Sequence, residues 1–281
     1  MFIDIKMCDN TTVELDADSL VYRVGGAVDM MGEGKEFALR YLERAVSNIY
    51  EDTGCSKCNI YLGTDTNYRI DVASLYGYKA NRTGNRRPYY YDAIRSCLVT
   101  SYKAILVHGQ EAEDEVGIQA YTYDNMNNYI VGAIDKDMDM IAGTRYNYAT
   151  RKTVFIDRVE ALRRFYTQLV TGDKSVDNIP GLYHCLLLDG EDELAKKFRY
   201  SRYKSKYIKV LAELDDELSM YQAAMDLYEQ YGQLEKHGLN RIIEIGRLLW
   251  IRREVGELWV PPTERDFDYI NSDTREQVGR E

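Results

Sequence analysis

Residues 104–137 read AILVHGQEAEDEVGIQAYTYDNMNNYIVGAIDKD, and their pattern decides the fold. The apolar run AILVHGQ predicts a strand. The segment opening on EAEDEVGIQAY predicts a helix with carboxylates in its first turn, where they complement the helix dipole. NYIVGAIDKD then predicts a further strand that runs out into acids. Strand, helix and strand in succession describe parallel neighbours joined by a crossover helix.

The same rhythm extends upstream. TTVELDAD alternates and predicts a strand delivering Asp16 and Asp18 at its carboxyl end, before a helix through LVYRVGGAV. From Phe37 to Tyr50, FALRYLERAVSNIY places apolar side chains at three- and four-residue steps, the mark of an amphipathic helix. CNIYLGTD predicts another strand, ending at Asp65. Strands alternating with helices define an α/β domain with a mostly parallel sheet, whose ligands sit outside the carboxyl ends of the strands. Beyond Ile156 the periods are helical: ALRRFYTQLVTG, DELAKKFRYSRYKSKYIKVLAEL, ELSMYQAAMDLYEQYGQLEKHG and NRIIEIGRLLWIRREVG. The expected organisation is an α/β domain over residues 1–170 and a helical extension over 171–281, with a loosely held polar tail from about 263.

Carboxylates cluster where strands should end or helices begin: Asp16 with Asp18, Asp65, Glu111 with Glu113 and Asp114, Asp135 with Asp137, and Asp173 with Asp177. Gathered in one place, such groups repel and raise one another's pKa, so a fold that collects them calls for cations. Hard oxygen donors select Mg²⁺ or Mn²⁺ over zinc. In DADS and DKD, acids two residues apart on a strand would point the same way and face one metal region. Glu111, Asp114 and Glu115 share a helix face, while Glu113 must reach across from the first turn. An acid-rich helix start without a ligand role reads the same way, most of all for Glu115.

At 281 residues, 29% charged and 45% apolar, the chain has the composition of a globular protein with one or two domains. No apolar run approaches a bilayer span and the start MFIDIKMCDN lacks a signal-peptide pattern, so a cytoplasmic location is expected. Five scattered cysteines (Cys8, Cys55, Cys58, Cys97 and Cys185) argue against a disulfide framework, and the lone CxxC has no second pair to complete a zinc site. The net charge of −10 hides two basic tracts. Between Lys79 and Lys103 stand six basic residues (Lys79, Arg82, Arg86, Arg87, Arg95 and Lys103) against the single acid Asp92. KKFRYSRYKSKYIK, from Lys196 to Lys209, holds seven basic residues, no acid, and Tyr200, Tyr203 and Tyr207 threaded between them. Basic tracts flanking acidic clusters suit a phosphate polymer laid over a metal site, although solvated helix faces would look alike.

Taken in order, VELDADSLVYR, YKANR at Tyr78 to Arg82, EAEDEVG at Glu111, IDKDMDMI at Ile134 and GDKSVDNIPG at Gly172 resemble the signatures of the 5′-nuclease superfamily, which includes flap endonucleases. The pattern is most similar to the 5′ to 3′ exonucleases of tailed bacteriophages, where a GTD-like strand followed by an arginine, YKANR and a late LLWIRREVGELW-like segment recur. The resemblance covers about residues 11–181, and Ile242 to Pro262 more loosely.

That resemblance implies a PIN-like α/β fold with a helical arch and a helix-three-turn-helix extension. It implies a metal-dependent 5′ to 3′ exonuclease and flap endonuclease acting on duplex DNA at a 5′ end, nick or flap. RNA-primer removal from RNA–DNA hybrid and replication proteins as partners come with it. Asp16, Asp65, Glu111, Glu113, Asp135 and Asp137 would form the metal shell, with Asp114, Asp173 and Asp177 behind or beside a second metal. For Asp18 and Asp139 a supporting or surface role fits equally. Two Mg²⁺ ions, replaceable by Mn²⁺ and about 3.5–4 Å apart, would activate water for in-line attack and stabilise the leaving oxygen. None of His108, His184 and His237 shows metal-ligand spacing, and the mechanism needs no histidine.

Lys79 and Arg82 are the expected catalytic cations, binding the scissile phosphate under the arch. Tyr78 would stack on a frayed base or simply pack, with Arg86 and Arg87 continuing the lid. Lys196, Lys197, Arg199, Arg202 and Lys204 are the expected contacts to duplex backbone. The chain departs from the family in two places. Three residues separate Asp173 from Asp177 where the pattern has two, and LYHCLLLDGEDELAKKF replaces a glycine-rich hairpin that often holds potassium. Two rivals stand beside the nuclease: a PIN-type ribonuclease without arch or helical extension, and a non-catalytic nucleic-acid-binding module.

Overall fold

Every residue of the first strand, β1 (Thr12–Asp16), is buried, as a strand paired on both edges and covered on both faces must be. In the computed structural model, which describes residues 11–82, 84 and 86–265, the chain continues through α1 (Asp18–Met31), α2 (Lys35–Thr53), β2 (Lys57–Gly63), α3 (Tyr68–Val72) and α4 (Tyr91–Ser101). Then come β3 (Ile105–Val107), α5 (Ala112–Tyr121), β4 (Tyr129–Gly132), β5 (Gly143–Asn147) and β6 (Lys152–Ile156). One sheet has the order β3-β2-β1-β4-β5-β6. Its first five strands pair in parallel, and β6 returns antiparallel to β5. This is the mostly parallel α/β sheet that the sequence predicts.

The hairpin of β5 and β6 has no counterpart in the sequence pattern. Its turn is built by Asn147, whose side-chain oxygen accepts the amide hydrogens of Ala149 and Thr150, both at 3.0 Å, and Arg151 comes next with φ of 57°. Most of β6 is exposed, so the apolar run that marks a buried parallel strand is missing.

Two compact units emerge from the residue contacts. The described parts of Met1–Asp71, Arg82–Arg164 and Ile251–Glu257 form the first; Val72–Asn81, Phe165–Trp250 and the described part of Leu258–Glu281 form the second. In the first, α1 buries Leu20, Val21, Val24 and Val28, and α2 buries Ala38, Leu42, Val46 and Ile49. These stripes close over Val13, Leu15, Ile60 and Leu62 of the sheet in one apolar cluster. Each valine, leucine and isoleucine among them contributes about 1.5–3 kcal/mol by leaving water. Gly117 in α5 permits one close crossing: a Cβ there would collide with the carbonyl oxygen of Arg252, so only glycine lets Ile251–Glu257 lie this near the helix.

The helices α6 (Arg158–Thr171), α7 (Leu182–Leu188), α8 (Asp192–Tyr200), α9 (Tyr203–Ala212), α10 (Glu217–Gln230), α11 (Gln233–His237) and α12 (Asn240–Leu249) follow. The second unit has an aromatic core in which Phe165 meets Trp250 edge to face at 4.9 Å. Buried tyrosines end on backbone acceptors, Tyr207 on Tyr166 O (3.1 Å) and Tyr228 on Leu169 O (2.8 Å), which removes the cost of burying a hydroxyl. The stretch DELAKKFRYSRYKSKYIKVLAEL is not one helix. It breaks between α8 and α9, where Arg202 takes a left-handed conformation with φ of 55°. Among the described residues no helix is long and apolar enough to cross a membrane. Cys8 and the tail from residue 266 lie outside the described residues, and Cys55, Cys58, Cys97 and Cys185 are free thiols.

Candidate metal centre

Asp16 closes β1, and it is 7% exposed. Burial, together with the negative charges of Asp18, Asp135 and Glu111, pushes its pKa up to about 7. Three acids from strand ends and helix starts therefore bear on Asp16 in the first unit. A buried carboxyl ringed by carboxylates is strained in the absence of positive charge, and its donors are all oxygen. The residues fit a hard divalent cation.

The local build differs from the expected strand geometry. Asp18 and Asp137 are not strand residues at all. The Asp16 carboxylate accepts the backbone hydrogen of Asp18 (3.1 Å), and the Asp135 carboxylate accepts that of Asp137 (3.0 Å). In both D-x-D motifs the first acid caps a helical turn, Asp16 from the last position of β1 and Asp135 three residues beyond β4, because an Asp oxygen can reach the amide two residues on. Asp18 is itself engaged: its oxygens accept Gly63 N–H and Arg95 Nη1, each at 3.0 Å, while Arg95 Nη2 donates to Gly63 O at 2.7 Å. Asp139 is buried against Arg145 at 2.5 Å, and burial raises its pKa against the pull of that guanidinium.

At the start of α5 the acids divide. Asp114 is fully buried, with Arg69 Nη1 on Oδ2 (2.5 Å) and Arg69 Nη2 on Oδ1 (2.9 Å). The same carboxylate accepts the backbone hydrogens of Glu111 (3.1 Å) and Arg252 (3.2 Å). It is committed to protein donors and sits behind the acidic face. Glu111 accepts Asn67 Nδ2 at 2.7 Å, and Glu113 lies 3.7 Å from Arg69. Glu115 bonds Gln110 and Gln119, both at 2.9 Å. Asp65 stands apart from this group, with its side chain 98% exposed and paired with Arg87 at 3.6 Å.

In the second unit, Asp173 and Asp177 bring carboxylate oxygens within 4.8 Å of each other. Gly172 (φ 66°) and Asn178 (φ 62°) bend the loop that carries them, and the Asp177 N–H returns to Asp173 O at 3.1 Å. The beginning of YKANR docks on this loop: Lys79 N–H donates to Asp177 O (2.9 Å), Asn178 Nδ2 to Gly77 O (2.7 Å) and Asn81 Nδ2 to Ser175 O (3.0 Å). Lys79 Nζ is 3.8 Å from Asp177 Oδ2, and the Tyr78 hydroxyl donates to the same oxygen at 3.1 Å. Tyr78 is buried, so its ring is packed and not offered to solvent. Two motifs 99 residues apart form one structure here, which neither motif alone discloses.

Arg82, in the 3₁₀ turn Ala80–Arg82, and Arg86 and Arg87 beyond it are exposed. So are Lys196, Lys197 and Arg199 on α8, and Arg202 and Lys204 at the start of α9. Tyr203 stacks on Phe198 at 3.7 Å and Tyr207 is buried. Tyr200, 82% exposed, is the tyrosine of that tract that faces water.

Arg69 lies among these acids without being one of the residues that the sequence puts forward for the site. Its signal is weak: an arginine after GTD, with nothing in the spacing to say that it would be 1% exposed among acids.

No protein-family model matches the sequence, and no curated protein matches it. Solved structures do. The chain shares the fold of the 5′-nucleases, a PIN-like α/β sheet with flanking helices. Its similarity is to the flap endonuclease of bacteriophage T5 in a pseudo-enzyme–product complex with DNA and metal ions, at 15% identity and a TM-score of 0.54, over 84% of this chain and 89% of that one. Two further bacteriophage T5 structures also match. The same protein co-crystallised with metal ions has 14% identity and a TM-score of 0.49 over 84% and 89% of the chains. A variant 5′-exonuclease has 14% identity and a TM-score of 0.44 over 86% and 95%.

Proposed function

We propose that the chain is a metal-dependent 5′-nuclease that hydrolyses phosphodiesters of duplex DNA from a 5′ end, nick or flap, and removes RNA primers. The observation that carries this reading is the buried Asp16 carboxyl at the end of a parallel strand, with Asp18, Glu111 and Asp135 close enough for their charges to raise its pKa. Like charges gathered around a buried carboxyl destabilise a fold, and a bound cation offsets that repulsion. The T5 flap endonuclease, whose fold this chain shares, is described in complex with DNA and metal ions, which supports the same reading.

Asp16, Glu111, Glu113, Asp135 and Asp137 would hold Mg²⁺ in the first unit, and Asp173 and Asp177 would address a second ion. Asp114 acts from behind, and Asp65 joins only if its exposed segment moves inward. Bound divalent cations supply Lewis acidity and neutralise charge gained by the phosphodiester. Lys79 and Arg82 bind the scissile phosphate and hold it against the acids. Arg86 and Arg87 continue the cationic lid, and Lys196, Lys197, Arg199, Arg202 and Lys204 grip duplex backbone. In this reading the chemistry lies with residues of 1–170 together with Asp173 and Asp177, and the duplex contacts with the basic residues between Lys196 and Lys204.

The test is a gel of 5′- and 3′-labelled duplex, nicked, flapped and RNA-primed DNA with Mg²⁺, Mn²⁺ or chelator. Products released from the 5′ end in either metal, and none in chelator, are expected. Asp135→Asn with Asp137→Asn should lower cleavage about a thousandfold or more while leaving metal-free folding intact or improved, since two repelling charges are removed. Cleavage that survives in the double variant, or in chelator, refutes the reading.

A further inference from the structure

We infer that Arg69 is a positioning residue of the metal centre: it is the fixed internal cation against which Glu111 and Glu113 are set. This rests on the nuclease reading above. A guanidinium that is 1% exposed gives up its hydration and must be held by buried acceptors. The acceptor is Asp114, in a bidentate pair at 2.5 and 2.9 Å, the geometry that fixes an arginine in orientation as well as place. Asp114 is fixed in turn by the backbone hydrogens of Glu111 and Arg252. The anchor therefore ties α5 to the segment Ile251–Glu257 that Gly117 allows to cross it.

From that anchor Arg69 Nη1 lies 4.0 Å from Glu111 Oε2, and Nη2 lies 3.7 Å from Glu113 Oε1. The segment that supplies Arg69 grips Glu111 a second time, because Asn67 Nδ2 donates to Glu111 Oε1 at 2.7 Å while Asn67 Oδ1 accepts Arg69 N–H at 3.0 Å. One short stretch after β2 thus addresses both oxygens of Glu111 and one of Glu113. A cation so placed has two opposed effects. Its charge repels an incoming metal ion, while its geometry spares the ion the cost of ordering two long glutamate side chains. The ion pair with Asp114 cancels most of the first effect, since the pair is neutral as a whole, so the ordering effect dominates.

The neutral pair also supplies the experiment. Arg69→Met with Asp114→Asn removes one charge of each sign, keeps the side-chain volumes close and leaves the net charge of the protein unchanged. Mn²⁺ binding to the full chain without DNA is read by the loss of the free-ion EPR signal, with circular dichroism and Tm as controls for folding. The double variant should keep the wild-type spectrum and bind Mn²⁺ about 10–100-fold more weakly. Arg69→Lys keeps the charge without the fork and should bind several-fold more weakly, which decides the matter should the double variant not fold. Wild-type affinity in a folded double variant, or in Arg69→Lys, overturns the positioning role while leaving the nuclease reading intact. A wild-type protein that binds no Mn²⁺ overturns both.

Discussion

Asp16 in the first unit and Asp189 in the second are both carboxylates shielded from water, and their surroundings are opposite. Asp189 accepts Arg241 Nη2 and Gln233 Nε2, both at 2.8 Å, and lies 3.1 Å from His237 Nε2. Burial raises its pKa, but these hydrogen bonds and the Arg241 charge outweigh burial and hold it well below the ordinary carboxylate range. Asp16 meets other acids instead and is driven up to about 7. In the proposed reading, an acid kept for structure is surrounded by donors and one kept for an ion is surrounded by its like.

Breaking the first kind should cost most. Asp189→Ala leaves Arg241 without its carboxylate partner and should lower stability by about 3–5 kcal/mol, measured by urea denaturation at pH 7. The sign of its pH dependence is set by the depressed folded pKa. The contribution of Asp189 is complete above the unfolded value near 3.9 and fades as pH falls through that value toward the folded one, so the deficit of the variant should shrink below about pH 4. A deficit independent of pH would mean that packing, not charge, is what Asp189 provides.

Asp16→Asn should act in the other direction on the metal-free protein. The folded pKa of about 7 lies above the unfolded one, so Asp16 costs nothing at low pH, where it is protonated in both states, and progressively more as pH rises from about 4 toward 7. The variant should be more stable than wild type by up to about 4 kcal/mol at pH 8, with the gain gone by about pH 4. Equal stability at both pH values would remove the strain on which the comparison turns.

Lys79→Ala sharpens the contrast within the second unit, where a cation faces Asp177 at 3.8 Å on a partly exposed surface. Single-turnover cleavage should fall about a hundredfold with Tm nearly unchanged. An unaltered rate would confine Lys79 to its ion pair. The smallest effect is expected for Lys197, Arg199 and Lys204 changed together to glutamine, exposed residues with no part in the core. Duplex binding should weaken, and the slope of log K against log salt should flatten by about 0.9 for each phosphate no longer neutralised. An unchanged slope would mean that the tract faces only water.

Much of this contrast is legible in the sequence because the acids of the first unit come after strands whose apolar runs are unmistakable. VELD, CNIYLG, AILV and NYIVG read as parallel strands of a covered sheet, and β1 and β4 are buried along their whole length. The features that are not legible depend on pairing across long separations or on a single local bond. The antiparallel β6 shows no apolar run, and the D-x-D motifs look like strand although in each the first aspartate accepts the amide of the second and opens a helical turn. Nothing in the spacing says that Tyr203 stacks on Phe198 and Tyr207 belongs to a core, or that Arg69 finds Asp114 45 residues away. Local pattern reports periodicity; the identity of a partner for a buried charge is a property of the folded chain.

The most direct measurement is an anomalous difference map from crystals soaked in Mn²⁺. An ion bound by carboxylates that include Asp16, Glu111 and Asp135, with Asp114 still held by Arg69, is the expected result. A map without an ion among those acids, in crystals whose side chains stand as described, would contradict the metal centre and the nuclease built on it.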